Sequence, residues 1–192
     1  VLPTKFYHGA ADKFTLDDSG HYNRLSSYGY GLYTTDSPKV AGGYKKKNRG
    51  DVKGEGQPTV YEIQEVKPVK FFDLEGEWTD ELTNIFGKWT DEDAGPYSQL
   101  LEEVLFYLKQ GQGDKYFVKD TDKLNVRGVI EMLWEINQRE DIVLPHHDVG
   151  EMIGDIQEYL MTKGYGGWTH VGGMGPATTG PKKNLHQVKI YW

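Results

Sequence analysis

The sequence predicts an α+β domain, with strands at both ends of the chain and an inserted block of helices between them. Three observations carry this expectation. Short runs near either end alternate apolar and polar residues with the two-residue period of a half-buried strand. The middle of the chain instead repeats its apolar residues at helical spacing. The two kinds of segment are segregated, not interleaved, which argues against a βαβ sheet. At 192 residues the chain has the size of one domain. We read it as a single unit over 1–192 with the helical insertion at about 78–163.

Leu2 to Tyr7 is short, apolar and aromatic, ends at His8-Gly9, and reads as the first strand. Residues 17–27 are polar and loop-like. Tyr30 to Thr35 (Tyr-Gly-Leu-Tyr-Thr-Thr) is the second strand. Asp36-Ser37-Pro38 then supplies a helix start, a capping side chain followed by Pro in the first turn, for a short helix over Lys39 to Lys46. Lys45 to Gln57 is a charged, Gly-rich loop. Thr59 to Leu74 alternates and reads as two strands hinged near Pro68. The period then changes. Helical stripes run over Tyr97 to Gln110, Asn125 to Gln138 and Val149 to Lys163, the last closed by Gly164 as a C-terminal cap. Gly166 to Val171 and Leu185 to Trp192 close the chain as strands.

The formal charge of −7 disfavours a general attraction to nucleic acid, while leaving room for a local basic patch that holds a small phosphate ligand. The absence of cysteine excludes disulfide frameworks, Cys-based zinc sites and thiol nucleophiles together. No apolar run approaches the ~18 residues needed to span a bilayer. Because the chain opens on Val1 and closes on a strand-like run, it reads as a processed protein or an excised domain.

Three segments suit a nicotinamide site when taken together: Phe6-Tyr7-His8-Gly9, Gly31-Leu32-Tyr33-Thr34-Thr35-Asp36-Ser37-Pro38 with Ala41 and Tyr44 after it, and Leu185-His186-Gln187-Val188-Lys189-Ile190-Tyr191. A His at a strand edge can bond a ribose hydroxyl in fixed geometry. A Gly beside it lets the backbone approach a carboxamide. Two tyrosines can hold a cationic pyridinium by stacking and cation–π attraction. A polar side chain on a neighbouring strand can orient the ribose and steady an oxocarbenium-like transition state.

With these residues in this order, the chain resembles an ADP-ribosyltransferase of the diphtheria-toxin/poly(ADP-ribose) polymerase branch, whose triad is His-Tyr-Glu. The Tyr-His-Gly segment is similar to the family's first motif. Gly-Leu-Tyr-Thr-Thr-Asp-Ser-Pro-Lys-Val-Ala-Gly-Gly-Tyr is similar to its second, including the gap from Tyr33 to Tyr44. Val60-Tyr61-Glu62-Ile63 through Lys67-Pro68, and Lys163-Gly164-Tyr165-Gly166-Gly167, resemble the small members carried by phages and mobile elements. The resemblance covers roughly 5–74 and 160–192.

It implies a split two-sheet β core with an NAD cleft between the sheets. His8 would bind a ribose hydroxyl and Gly9 the carboxamide. Tyr33 and Tyr44 would flank the nicotinamide, with Ala41 lining the same site, and Arg24 would touch phosphate. The catalytic set would be His8, Tyr33 and Gln187. The implied activity is NAD-dependent mono-ADP-ribosyl transfer, a glycosyl transfer that uses NAD as co-substrate and no metal. Nicotinamide would leave and a nucleophile, a protein side chain before a nucleic-acid base, would attack the ribose. The setting would be that of a phage or bacterial toxin or effector acting in a host cytoplasm, without a membrane partner.

Gln187 departs from the family pattern, since its carbonyl accepts a hydroxyl bond but carries no charge and cannot act as a base. Three readings stay open: a natural His-Tyr-Gln transferase, a Glu replaced to trap a complex, and an NAD- or ADP-ribose-binding module without turnover. An NAD glycohydrolase, with water as acceptor, is the other enzyme reading, and an interaction domain whose motifs match by accident is the remaining one.

Other features are assigned plain roles. Lys45-Lys46-Lys47 and Arg49 form a solvated loop near the site. Glu75-Gly76-Glu77 is a surface turn, because the arginine-directed branch that uses Glu-x-Glu also needs an early Arg and a Ser-Thr-Ser strand. His146-His147-Asp148 precedes a helix, with Asp148 as its N-cap rather than a metal ligand. His186 should face away from Gln187.

Overall fold

Alternation at both ends and helical stripes in the middle fold as one sheet covered by helices on one face. A computed structural model describes residues 4–10, 28–44, 59–86, 95–110, 125–139, 144–172 and 185–192. The strands are β1 (Phe6–Ala10), β2 (Leu32–Thr35), β3 (Thr59–Ile63), β4 (Phe71–Asp73), β5 (Gly167–Gly172) and β6 (His186–Tyr191). The helices are α1 (Pro38–Tyr44), α2 (Asp80–Asn84), α3 (Pro96–Lys109), α4 (Val126–Arg139) and α5 (His146–Thr162). No helix among the described residues is long and apolar enough to cross a membrane.

The six strands form a mixed sheet in the order β3-β1-β2-β6-β5-β4. Only β4 and β5 pair in parallel; the other neighbours are antiparallel. Where the resemblance implied two sheets, the structure has one hydrogen-bonded sheet with uneven seams. Five residue pairs join β1 to β3 and four join β2 to β6, but a single pair, Tyr7 with Thr35, joins β1 to β2.

The main core lies between the sheet and helices α2 to α5. Trp168, Val188 and Ile190 from the sheet meet Leu100, Ile130, Leu133, Met152 and Ile156 from the helices. Fully burying each such aliphatic side chain contributes roughly 1.5–3 kcal/mol, which explains why the helical stripes are the most regular feature of the sequence. A smaller cluster of Ala10, Leu32, Tyr61, Ile63 and Tyr191 occupies the opposite face.

Several boundaries differ from the expectations. The first strand runs Phe6–Ala10, beyond His8-Gly9, because the ladder to β3 extends to Ala10 opposite Thr59. Helix α5 begins at His146, following Pro145, and has no side-chain cap. Asp148 therefore lies inside the first turn, where it accepts from the Tyr97 hydroxyl at 2.7 Å and pairs with His147, instead of capping the helix. The five-residue α2 was not expected; Thr79 caps it by accepting from the Leu82 amide. Gly164 does close α5, with φ of 81°, a left-handed conformation that favours glycine.

Candidate functional site

The three segments of the site motif become adjacent strands: β1 carries His8, β2 carries Tyr33 and β6 carries Gln187. β6 lies next to β2, and β1 and β2 flank the seam that has one pair. There the His8 imidazole closes on its neighbour, with Nδ1 2.8 Å from the Tyr33 carbonyl oxygen. A carbonyl only accepts, so Nδ1 is the donor in this bond, and in the neutral ring Nε2 is then the acceptor nitrogen.

The side chains do not all share a face. Tyr33 pairs with Ile190 and Thr35 with Val188, and these belong to the helix-covered core together with Tyr33 itself. Period-two alternation puts Gln187, Lys189 and Tyr191 on the other face. Phe6 lies there too, beneath the Lys189 ammonium at 4.5 Å, which brings His8 to the same side by alternation. His8 and Gln187 thus share one face, and the Tyr33 ring lies on the other. The seam is where the two sides meet.

Each residue is held by local bonds. The Tyr33 hydroxyl donates to the Gly29 carbonyl at 2.8 Å and accepts from the Tyr28 amide at 3.2 Å. Gln187 is exposed, but its backbone is fixed at both ends: its amide donates to the Asp36 carboxylate at 2.9 Å, and its carbonyl accepts from the Asp36 amide at 3.1 Å. Ser37, rather than Asp36, caps α1 through the Val40 amide. Gly9 has a structural reason of its own, because a Cβ there would overlap the Ala41 carbonyl oxygen as α1 crosses β1. Ala41 is buried in that contact, and Tyr44 ends α1. Arg24, Lys45 to Lys47 and Arg49 lie outside the described residues, as does the Tyr44 side chain. His186 sits over Gly172, on the helix side and away from Gln187.

A buried polar network backs the Tyr33 side. Arg127 on α4 donates through Nε to Glu131 at 2.8 Å, through Nη1 to Glu75 at 2.8 Å, and to the Val171 carbonyl at 3.1 Å. Burial works against its charge, but Tyr28, Glu131 and Glu75 outweigh that and raise its pKa above the ordinary value. The Tyr28 hydroxyl donates to Glu131 in a short bond, and burial raises the Tyr28 pKa well above its usual value, aided by the Glu131 charge. Its ring lies 4.4 Å from that of His170. Burial, followed by the Arg127 charge, pushes the His170 pKa down to about 4. On α5, the fully buried Gln157 accepts from the Tyr30 amide at 3.1 Å and donates to its carbonyl at 2.8 Å.

None of Arg127, Glu131, Gln157 or His170 was singled out from the sequence. The signal was present in polar residues set into otherwise apolar helical stripes, with Arg127 and Glu131 one turn apart. The Glu75 turn is at the surface, as its composition indicated, and it also anchors Arg127.

On the His8 and Gln187 face, residues 64–70 run from β3 to β4 across the sheet. Glu65 accepts from Lys189 and from the Tyr191 hydroxyl, each at 2.8 Å. The Lys189 bond is the chief cause that lowers the Glu65 pKa, while burial and Glu65 raise that of Tyr191. Among the described residues no cluster of three metal-ligating side chains occurs. Comparison of the chain with protein-family models, with curated proteins and with solved structures finds no match.

Proposed function

We propose that the chain is an NAD-dependent mono-ADP-ribosyltransferase whose site is the β1/β2 seam. The observation that carries this reading is the single pair across that seam, with the His8 ring turned onto the Tyr33 carbonyl. A seam joined by one pair offers backbone groups of β1 and β2 to a ligand. In this reading Gly9, Tyr33 and α1, with Ala41 and Tyr44, bound the nicotinamide. His8 and Gln187, on the other face, bind ribose hydroxyls. Arg24 approaches phosphate.

The bond from the nicotinamide nitrogen to the ribose anomeric carbon breaks, and nicotinamide leaves with the electron pair. An acceptor nucleophile then forms a bond to that carbon and releases its proton to solvent. Preorganised acceptors beside the developing cation lower the barrier. Gln187 offers a dipole where a carboxylate would offer a full charge, so turnover is slow and confined to single transfers. The acceptor is a protein side chain in preference to a nucleic acid, consistent with the net charge of −7. The setting carried by the resemblance, a phage or bacterial effector in a host cytoplasm, is part of the same proposal.

The deciding experiment measures nicotinamide release from NAD by this chain and by Gln187→Glu. Release by both supports an enzyme that works with Gln at this position. Release only by Gln187→Glu supports the site and makes the present chain a binding form. Silence from both, in folded protein that binds no NAD, overturns the reading. Nicotinamide release without labelled protein would identify water as the acceptor.

A further inference from the structure

Side chains of the helical block reach the segment that holds the Tyr33 hydroxyl. The Tyr33 hydroxyl is held by the backbone of residues 28 and 29, the Tyr28 amide and the Gly29 carbonyl. These residues precede β2 and lie in no strand, and Gly29 has a φ of 81°. Besides the Tyr33 hydroxyl, side chains from two helices hold this segment. Glu131 on α4 accepts from the Tyr28 hydroxyl, and Gln157 on α5 bonds both backbone groups of Tyr30. A Cβ at residue 29 would overlap the Gln157 side-chain oxygen, so the segment is seated closely on α5.

We propose that Glu131 is a positioning residue for Tyr33, acting through Tyr28, so that the helical block moulds the nicotinamide side of the seam. The inference rests on the reading of Tyr33 as a site residue. A buried ion pair is poor value as pure stability, because apolar residues of similar size often do as well. A buried carboxylate aimed at one phenol does something apolar packing does not: it selects a single orientation of that phenol. Here the Glu131 charge is compensated by Arg127, which is itself fastened to Glu75 and to the Val171 carbonyl. The network therefore ties the segment ahead of β2 to three separate parts of the fold, and the Tyr33 hydroxyl hangs from that segment.

The test is hydrogen exchange of the full chain, with nicotinamide release measured in parallel, on wild type, Glu131→Gln, Tyr28→Phe, Tyr33→Phe and the double variant Tyr28→Phe/Tyr33→Phe. Amides of residues 28–33 should exchange about tenfold faster in Tyr28→Phe, while those of α4 and β6 keep their protection. The kcat/KM of nicotinamide release should fall about tenfold, and the double variant should lose no more than Tyr33→Phe alone. Unchanged exchange at 28–33, or additive losses, would overturn the proposal. If Glu131→Gln fails to fold, Tyr28→Phe decides, since it leaves the Arg127–Glu131 pair intact. If the wild type releases no nicotinamide, the variants are compared in the Gln187→Glu background; if that too is silent and binds no NAD, the functional reading fails by itself, and the exchange rates at 28–33 still decide the positioning.

Discussion

The Nδ1 atom of His8 lies 2.8 Å from the carbonyl oxygen of Tyr33, so a side chain of β1 closes onto the backbone of β2 at the sheet's sparsest seam. In the neutral ring this bond selects the tautomer with Nε2 as the acceptor. His8→Ala removes both roles. His8→Asn keeps a donor for the carbonyl but has no group in the place of Nε2. Both variants should lose about 10²-fold in kcat/KM for nicotinamide release, on the scale of a misplaced catalytic contact. Near-normal turnover by His8→Asn would remove Nε2 from the mechanism.

Gly9→Ala should destabilise the protein by about 2–3 kcal/mol whatever the protein does, because the added methyl meets the Ala41 backbone, which has no rotamer to yield. A melting temperature equal to that of the wild type would mean that α1 is not seated on β1 at Gly9.

Gln157→Leu leaves the Tyr30 amide and carbonyl without their partners. We expect a loss of about 2–4 kcal/mol, or roughly 5–12 °C in Tm for a chain of this size. Gln157→Glu keeps the acceptor but sets a buried carboxylate against the Tyr30 carbonyl, and should lose at least as much as Gln157→Leu.

His170 gives the fold an acid-sensitive element. Burial, with the charges of Arg127 and His186, lowers its pKa to about 4 from 6.5. As pH falls below about 6.5 the unfolded chain takes up a proton that the folded chain refuses until about pH 4. The contribution is therefore fully present above about pH 6.5 and lost progressively down to about pH 4, amounting to about 3 kcal/mol. His170→Phe keeps a ring against Tyr28 and removes the titration. Its Tm should fall less than that of the wild type between pH 7 and pH 4, and equal falls would count against a buried neutral His170.

The sequence disclosed what depends on local periodicity and little of what depends on distant pairing. Helices α3, α4 and α5 were legible because their apolar stripes face a large core. The short α2 was not, since five residues hold too little of a period. His8, Tyr33 and Gln187 were chosen by motif, and they do stand on three neighbouring strands. That Tyr33 faces away from the other two follows from register between β2 and β6, whose paired residues are about 155 positions apart and leave no local trace. Gly9 also has a packing reason that the motif does not reveal, the approach of α1. Arg127 and Glu131 look like a solvated helical pair until their partners are seen, with Glu75 lying 52 residues from Arg127 and Tyr28 lying 103 residues from Glu131.

Residues 64–70, described above as running across the sheet, also set its dimensions. They connect β3 and β4, which are consecutive in the chain but occupy opposite edges. Five strand spacings amount to about 24 Å on a flat sheet, before the diagonal is counted. The eight steps from Ile63 to Phe71 reach at most about 26–29 Å. A flat sheet would leave this tether almost no slack, and the sheet is curled: one ammonium, that of Lys189, reaches the rings of Phe6 and Phe71 at 4.5 and 4.6 Å, although their strands lie two places to either side of its own. Residues 64–70 are long enough for the curled sheet and barely long enough for a flat one, so shortening them should cost the fold more than lengthening them.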